Sequence, residues 1–325
     1  MPNNMASSLD FRANGKLLIT GEYLVIDGAK ALAIPTALGQ NLSCKRNDDG
    51  VISWKAMDVN GLWFEAEFRS DDIEILTSSN ESAAFFIQNL LKAAIELGNE
   101  NPFLSGATII TLLDFDRFLG LGSSSTIIAL VASLYGIDKY KLHSKVSKGS
   151  GYDIACAGVS YPIFFRRTDK VNAVYSPAPF NPEFSHSLYF IYLGNKQDTN
   201  REISRYRELN KHELQKRIQE VTEITNKISE VKEIATFASL IERHEQILSA
   251  VLQTKTIKEK LFNDFKGFIK SLGAWGGDFV LAGTTSNKAY VKDYFEGKGI
   301  RVIYPYDDLV LKQKATINDE ISIRF

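Results

Sequence analysis

Between Thr108 and Tyr135 the chain passes from a strand-like apolar run, Thr108–Leu113, through Gly120-Leu121-Gly122-Ser123-Ser124-Ser125 into an unbroken apolar helical stretch, Thr126–Tyr135. Both flanking segments are too apolar to stand on a surface, so the chain must pack a sheet against helices. The loop between them also suggests a chemistry. Glycines let backbone N–H groups approach an anion, and the first turn of a helix offers unpaired N–H groups and a positive dipole end. The serines can cap the helix or reach a metal ion carried by a nucleotide. No Gly-Lys-Ser/Thr follows, so this is not a Walker A loop, and Ser125 stands where the dinucleotide fingerprint needs its third glycine. Taken alone, the loop is explained as well by a capped structural helix.

The surrounding pattern narrows the architecture. Lys16–Thr20 reads as a strand ending at Gly21, and Ala31–Ile34 as another that stops at Pro35. Leu62, Phe64, Ala66 and Phe68 alternate with Trp63, Glu65 and Glu67, the period of a half-buried strand. Ser82–Leu97 carries apolar residues at helical spacing and closes at Gly98. Tyr161–Arg167 is a further strand, and the proline-containing stretch Ser176–Pro182 marks the expected boundary between residues 1–180 and residues 181–325. The second half opens with the strand Leu188–Leu193. Three charge-laced helical stretches follow, to about Leu272, and their mixed charges read as solvated faces. The strand Phe279–Ala282, the helix Asn287–Phe295, the strand Arg301–Tyr304 and a terminal strand complete the chain. Strands and helices mix without regular βαβ alternation, so the expected class is α+β.

Composition excludes several functions. Across 325 residues, 38 Lys+Arg balance 39 Asp+Glu to a formal charge of −1, without the basic excess of a nucleic-acid coat. The length suits two packed domains. Cys44 and Cys156 stand far apart in apolar surroundings and read as reduced packing residues, and the four histidines occur singly rather than as a metal-binding pair. The longest apolar run, Ile127–Leu134, is far short of the ~20 residues a membrane span needs. No leader-like pattern opens the chain, and a cytoplasmic protein without nucleic-acid or membrane partners is expected.

Two more segments carry potential chemistry. In Gly149-Ser150-Gly151-Tyr152-Asp153 a glycine turn can hold an aspartate over a cleft, where it would accept a hydroxyl proton, although Asp after Gly is also a common helix cap. Gly273-Ala274-Trp275-Gly276-Gly277-Asp278 precedes a buried strand and can approach a ligand closely, or serve as a tight turn. No Gly-x-Ser-x-Gly elbow is present at the serine loop, which removes the usual serine hydrolase.

Taken in order, these segments resemble the GHMP kinases, the family of galactokinase, homoserine kinase, mevalonate kinase and phosphomevalonate kinase. Asn14-Gly15-Lys16-Leu17-Leu18-Ile19-Thr20-Gly21-Glu22-Tyr23-Leu24-Val25 resembles their first motif, Gly120-Leu121-Gly122-Ser123-Ser124 their second, and Gly273–Asp278 their third. The resemblance covers nearly the whole chain. It implies an α+β fold of two domains, a ribosomal-S5-like N-terminal one and a ferredoxin-like C-terminal one, with the active site between them. It implies ATP and Mg2+ as cofactors and a small hydroxylated or phosphorylated acceptor, in a monomer or homodimer. Residue by residue, Asp153 matches the catalytic base, and Lys16 would stand beside it and the reacting hydroxyl. Gly120, Leu121, Gly122 and Ser123 would cradle the nucleotide phosphates, and Ser124 would reach the magnesium ion. Glu22, Ser150, Gly151, Thr199, Gly273, Gly276, Gly277 and Asp278 would face the substrate.

Three departures accompany the resemblance. Asp116 and Phe118 replace a proline and a glycine common in the second motif, and Trp275 replaces a glycine in the third. These replacements would narrow the pocket, or mark a divergent subgroup whose activity has drifted, as far as a non-catalytic relative that binds a nucleotide or metabolite. No acidic residue lies between Asp138 and Asp153, where mevalonate kinases place a magnesium-binding glutamate. Together with Gly21-Glu22-Tyr23 and the Gly149–Asp153 run, this spelling is closer to phosphomevalonate kinases than to mevalonate kinases. A phosphorylated acceptor needs cations to meet it, and Lys148, Arg166, Arg167, Lys196 and Arg201 are the candidates.

Overall fold

The computed structural model describes residues 8–194, 199–208, 213–273, 278–312 and 320–325. Strand β1 (Leu9–Thr20) pairs antiparallel with β2 (Ala31–Arg46). The expected stop at Pro35 is corrected here: β2 runs straight through it. Its other edge carries one neighbour along Ala31–Ala33 and another along Gln40–Arg46. Pro35 falls where β2 changes partner, a place that demands no ladder N–H on that edge.

A meander of β3 (Val51–Asp58), β4 (Gly61–Arg69) and β5 (Ile75–Ser78) follows, and the Leu62–Phe68 alternation becomes β4 with Phe64, Ala66 and Phe68 buried. Helix α1 (Glu81–Gly98) starts where the Asn80 side chain accepts from the Ala83 amide, and it buries Ala84, Ile87, Leu90, Leu91 and Ala94. Strand β6 (Ala107–Leu113) leads towards helix α2 (Ser123–Tyr135), which is followed by α3 (Lys139–Val146) and α4 (Tyr152–Ala157). Strands β7 (Ile163–Arg167) and β8 (Asn172–Pro177) extend the sheet, and β9 (Leu188–Tyr192) begins another.

Four helices come next: α5 (Thr199–Glu208), α6 (Leu214–Ile228), α7 (Ile234–Leu252) and the short α8 (Ile257–Leu261). The helical reading to Leu272 is a second correction. Phe268–Leu272 is strand β10, all five residues of which are buried. A strand covered on both faces shows no period in sequence, and adjoining helices hide it. The chain ends with β11 (Phe279–Gly283), α9 (Lys288–Glu296), β12 (Ile303–Pro305), α10 (Tyr306–Leu309) and β13 (Ile321–Arg324).

Among the described residues the strands form two sheets. The nine-stranded one runs β13-β8-β7-β2-β6-β3-β4-β5, with β1 also paired to β2, and the four-stranded one runs β10-β11-β9-β12. The fold is therefore α+β, as the sequence pattern indicates. One apolar cluster joins the sheets: Leu17, Ile19, Leu32 and Ile34 meet Phe190, Phe268, Phe279 and Leu281, with Leu119 and Leu121 of the glycine-serine loop seated in the same cluster. That loop is thus anchored where the two sheets come together.

Candidate active site

The glycine-serine loop is pinned directly to β1. The Lys16 amide donates to the Leu121 carbonyl at 2.9 Å, and Lys16 Nζ donates to the Gly120 carbonyl at 3.3 Å. Gly120 and Gly122 take left-handed φ angles of 74° and 99°. A Cβ on Gly122 would lie 2.8 Å from Ser125 Oγ and 3.0 Å from Lys16 Cε, so this concavity exists only because the side chain is absent. Gly122 precedes α2 and no side chain caps the helix. The serines do not perform that capping role, since Ser125 Oγ donates to the Gly122 carbonyl at 2.8 Å. The first amides of α2 are left directed at an open, positively polarised end.

That end opens into a cleft of about 310 Å³, within the range of small-molecule sites. Lys16, Gly120, Gly122, Ser123 and Ser124 line one side. Ser150, Tyr152 and Asp153 line another, and Glu22, Gly273 and Asp278 also reach it. Leu121 is buried beneath the loop, and Gly151 turns the chain at φ 90° just before α4. Thr199 opens α5, and Gly276 and Gly277, like Trp275 and Lys196, lie outside the described residues. Phe118 does not line the cleft. It is 46% exposed and its ring stands 4.3 Å from the Arg117 guanidinium. The narrowing expected from Phe118 is therefore not observed.

The charges in the cleft reinforce one another. Burial works against the Lys16 ammonium, but Tyr152, Asp153 and Asp278 outweigh it and hold its pKa above the ordinary value. Lys16 Nζ also lies 5.7 Å from the centre of the Tyr152 ring. Burial pushes the Tyr152 phenol up, so it stays protonated at neutral pH. Asp278 packs against Gly120, where a Cβ would overlap its carboxylate. Asp153 Oδ1 accepts from the Ile154 amide at 3.1 Å.

Glu22 has a different environment from the one expected of a purely substrate-facing residue. Its Oε1 accepts from Lys270 Nζ at 2.5 Å, and Lys270 Nζ also reaches Glu245 Oε1 at 3.4 Å and the Ser271 carbonyl at 2.8 Å. The Gly21 amide donates to His244 Nε2 at 3.0 Å, which leaves that ring's proton on Nδ1. All four side chains are buried. Burial raises Glu22 to about 7 against the pull of Lys270, raises Glu245, and with Lys270 drives His244 well below its usual value.

Sequence reasoning missed Arg117, Lys270, Glu245 and His244. Arg117 lines the cleft, donates Nη1 to the buried Asp58 at 2.8 Å and stands 5.1 Å from the Trp63 ring. Signals for the others were present: Lys270 is a lone cation in the apolar run Phe268–Leu272, and His244 and Glu245 lie on the face of α7 that buries Phe237, Ile241 and Leu248.

Cations expected for a phosphorylated acceptor have mixed fates. Arg166 donates to the Gly28 carbonyl at 3.2 Å, while Arg167 donates Nη1 to the Gly149 carbonyl at 3.4 Å. Cys44 and Cys156 are free and buried. No group of three or more acidic, histidine or cysteine ligands is found among the described residues, and no helix among them is long and apolar enough to cross a membrane.

No family model and no curated protein matches the chain by sequence. Solved structures do match by shape. A Methanococcus jannaschii mevalonate kinase superposes with a TM-score of 0.65 at 14% identity, covering 96% of this chain and 100% of that one. A Streptococcus pneumoniae phosphomevalonate kinase in complex with phosphomevalonate and AMPPNP gives 0.66 at 16%, covering 91% and 99%. A Lactococcus lactis galactokinase complexed with galactose gives 0.63 at 12%, covering 96% and 95%. The fold is the one these kinases share.

Proposed function

We propose that this chain, with the GHMP kinase fold, is an ATP-dependent phosphotransferase acting on a small acceptor. One observation carries the reading. Lys16, Asp153 and the uncapped start of α2, with the concavity at Gly122, converge on a single cleft. Phosphoryl transfer demands chiefly positioning and compensation of charge, and this set supplies both.

In this reading the amides of Gly122, Ser123 and Ser124 bind the nucleotide phosphates, and Lys16 offsets the charge that grows on the transferred group. Asp153 orients the acceptor hydroxyl and takes its proton as the oxygen attacks the γ-phosphorus, whose bond to the bridging oxygen breaks to release ADP. Tyr152, kept protonated, lies beside Lys16 in the same cleft wall. The donor set also fits magnesium: Ser124 is exposed at the helix start, and this ion is ordinarily held by substrate phosphates with few protein ligands. Magnesium would neutralise part of the triphosphate charge, with Ser124 as its protein contact.

For the acceptor we favour phosphomevalonate over mevalonate, on the spelling of Gly21-Glu22-Tyr23, the Gly149–Asp153 run and the lack of an acidic residue ahead of Asp153. The test is an ATP-consumption screen of the purified protein against phosphomevalonate, mevalonate, homoserine and galactose. The expected result is the largest kcat/KM for phosphomevalonate. A preference for mevalonate reverses the ranking, turnover only with homoserine or galactose moves the chain to another acceptor, and no turnover with any of them removes the kinase reading.

A further inference from the structure

The turn that carries Asp153 is braced from behind by a residue far along the chain. Strand β13 pairs with β8 from Ile321–Tyr175 to Arg324–Asn172, and the Phe325 amide donates to the Val171 carbonyl at 2.8 Å. These bonds leave the Phe325 ring little freedom. It stands edge-on to Tyr140 at 6.0 Å and lies 5.8 Å from His143, while the Arg167 guanidinium sits 5.0 Å from its centre. Gly151 forms the remaining wall, because a Cβ at that position would overlap the ring at Cζ. Arg167 closes the cage by donating to the Gly149 carbonyl.

The contact falls at a sensitive point. Gly151, at φ 90°, immediately precedes α4, and Asp153 is in the first turn of that helix. Helix α4 has only six residues, too short to hold its own direction against a shift in its leading turn. The side-chain ties to the backbone of the turn are made at Gly149, whose amide donates to Ser147 Oγ at 3.3 Å and whose carbonyl accepts from Arg167, and among the described residues none is made at Gly151. His143 is buried beneath the turn, and neither of its ring nitrogens has a hydrogen-bond partner among the described residues. Shape therefore sets how deeply Gly151 sits.

We propose that Phe325 is a positioning residue for Asp153: its ring, outside the cleft, sets the height of the Gly149–Asp153 turn relative to Lys16. The proposal rests on the reading of Asp153 as the proton acceptor. A displacement of about 1 Å at a reacting group can cost on the order of 100-fold in rate, so a small change in the ring should be visible in turnover.

Phe325→Tyr is the sharpest probe. It keeps the ring and the strand pairing but adds an oxygen at Cζ, against Gly151. The expected result is a loss of roughly tenfold or more in kcat, with ATP affinity and acceptor KM unchanged and faster hydrogen exchange at the amides of residues 149–155. Phe325→Met, which fills the same space flexibly, should retain most of the turnover, whereas Phe325→Ala should lose it. Wild-type kcat in both the Tyr and Ala variants overturns the proposal. So does a parallel fall in kcat, ATP affinity and thermal stability, which would mark a residue needed only for folding. If the wild-type protein transfers no phosphoryl group, the reading of Asp153 fails by itself. Hydrogen exchange then still decides: acceleration at residues 149–155 in Phe325→Ala supports the brace, and an unchanged rate overturns it.

Discussion

Two charged clusters flank the same cleft and are built on opposite terms. In one, Lys16, Asp153 and Asp278 line the cleft beside an uncapped helix start. In the other, Lys270, Glu22, Glu245 and His244 face one another and are buried, with Glu22 also forming part of the cleft wall. The contrast shows in their titration. Lys16 is held above its ordinary pKa, so its charge is secure and available to a ligand. In the sealed cluster burial dominates, raising both carboxylates and keeping His244 neutral. One cluster presents its charge along the cleft wall; the other uses its charge in joining the end of β1 to β10 and α7.

That comparison is most easily broken at Asp153. Asp153→Asn keeps the shape but removes the carboxylate proposed to accept the proton, and turnover should fall by about 10²–10⁴-fold with ATP affinity retained. Gly122→Val should do the reverse, filling the concavity and weakening ATP binding as read by calorimetry. Equal loss of affinity in both variants would mean that the open cluster is not divided between binding and chemistry.

The next effect concerns stability. Lys270→Met leaves Glu22 and Glu245 buried without their cation, and urea denaturation should show a loss of roughly 3–5 kcal/mol. Lys16→Met should impair turnover and lower the urea midpoint less than Lys270→Met does, because Lys16 lines the cleft and its loss strands no pair of buried carboxylates. Similar midpoints for the two variants would erase the distinction between open and sealed.

The smallest expected effect is in pH dependence. Folding raises Glu22 from 4.5 to about 7, so the folded state binds this proton more tightly than the unfolded chain does. The resulting stabilisation is whole below pH 4.5 and disappears as pH climbs through about 7. Relative to Glu22→Gln, the wild-type protein should lose roughly 1–3 kcal/mol across that window. A flat difference would place the Glu22 pKa near that of an ordinary carboxylate.

Much of the open cluster was legible because its parts are local. A glycine turn into a helix is made from consecutive residues, and Gly120–Ser124 followed by an apolar helix announces both the turn and the direction of its amides. The sealed cluster joins residues 248 positions apart, as in the Lys270–Glu22 pair, and no local pattern reports such a meeting. β10 was hidden for a related reason: five consecutive buried residues follow neither helical nor strand periodicity. Pro35 misled in the opposite sense, since a proline interrupts a strand only where the neighbouring strand requires its N–H.

What the sequence determined by itself was the mixed α+β class, most element positions and the local geometry of the glycine turns, because backbone freedom and hydrophobic period act over a few residues. Tertiary structure alone decided which charges face the cleft and which face each other, that Phe118 stacks on Arg117 outside the cleft, and that Phe325 braces the turn before Asp153. Those outcomes depend on burial and on the meeting of distant strands. Electrostatic energy and steric contact are functions of distance in space, which the order of residues along a chain does not contain.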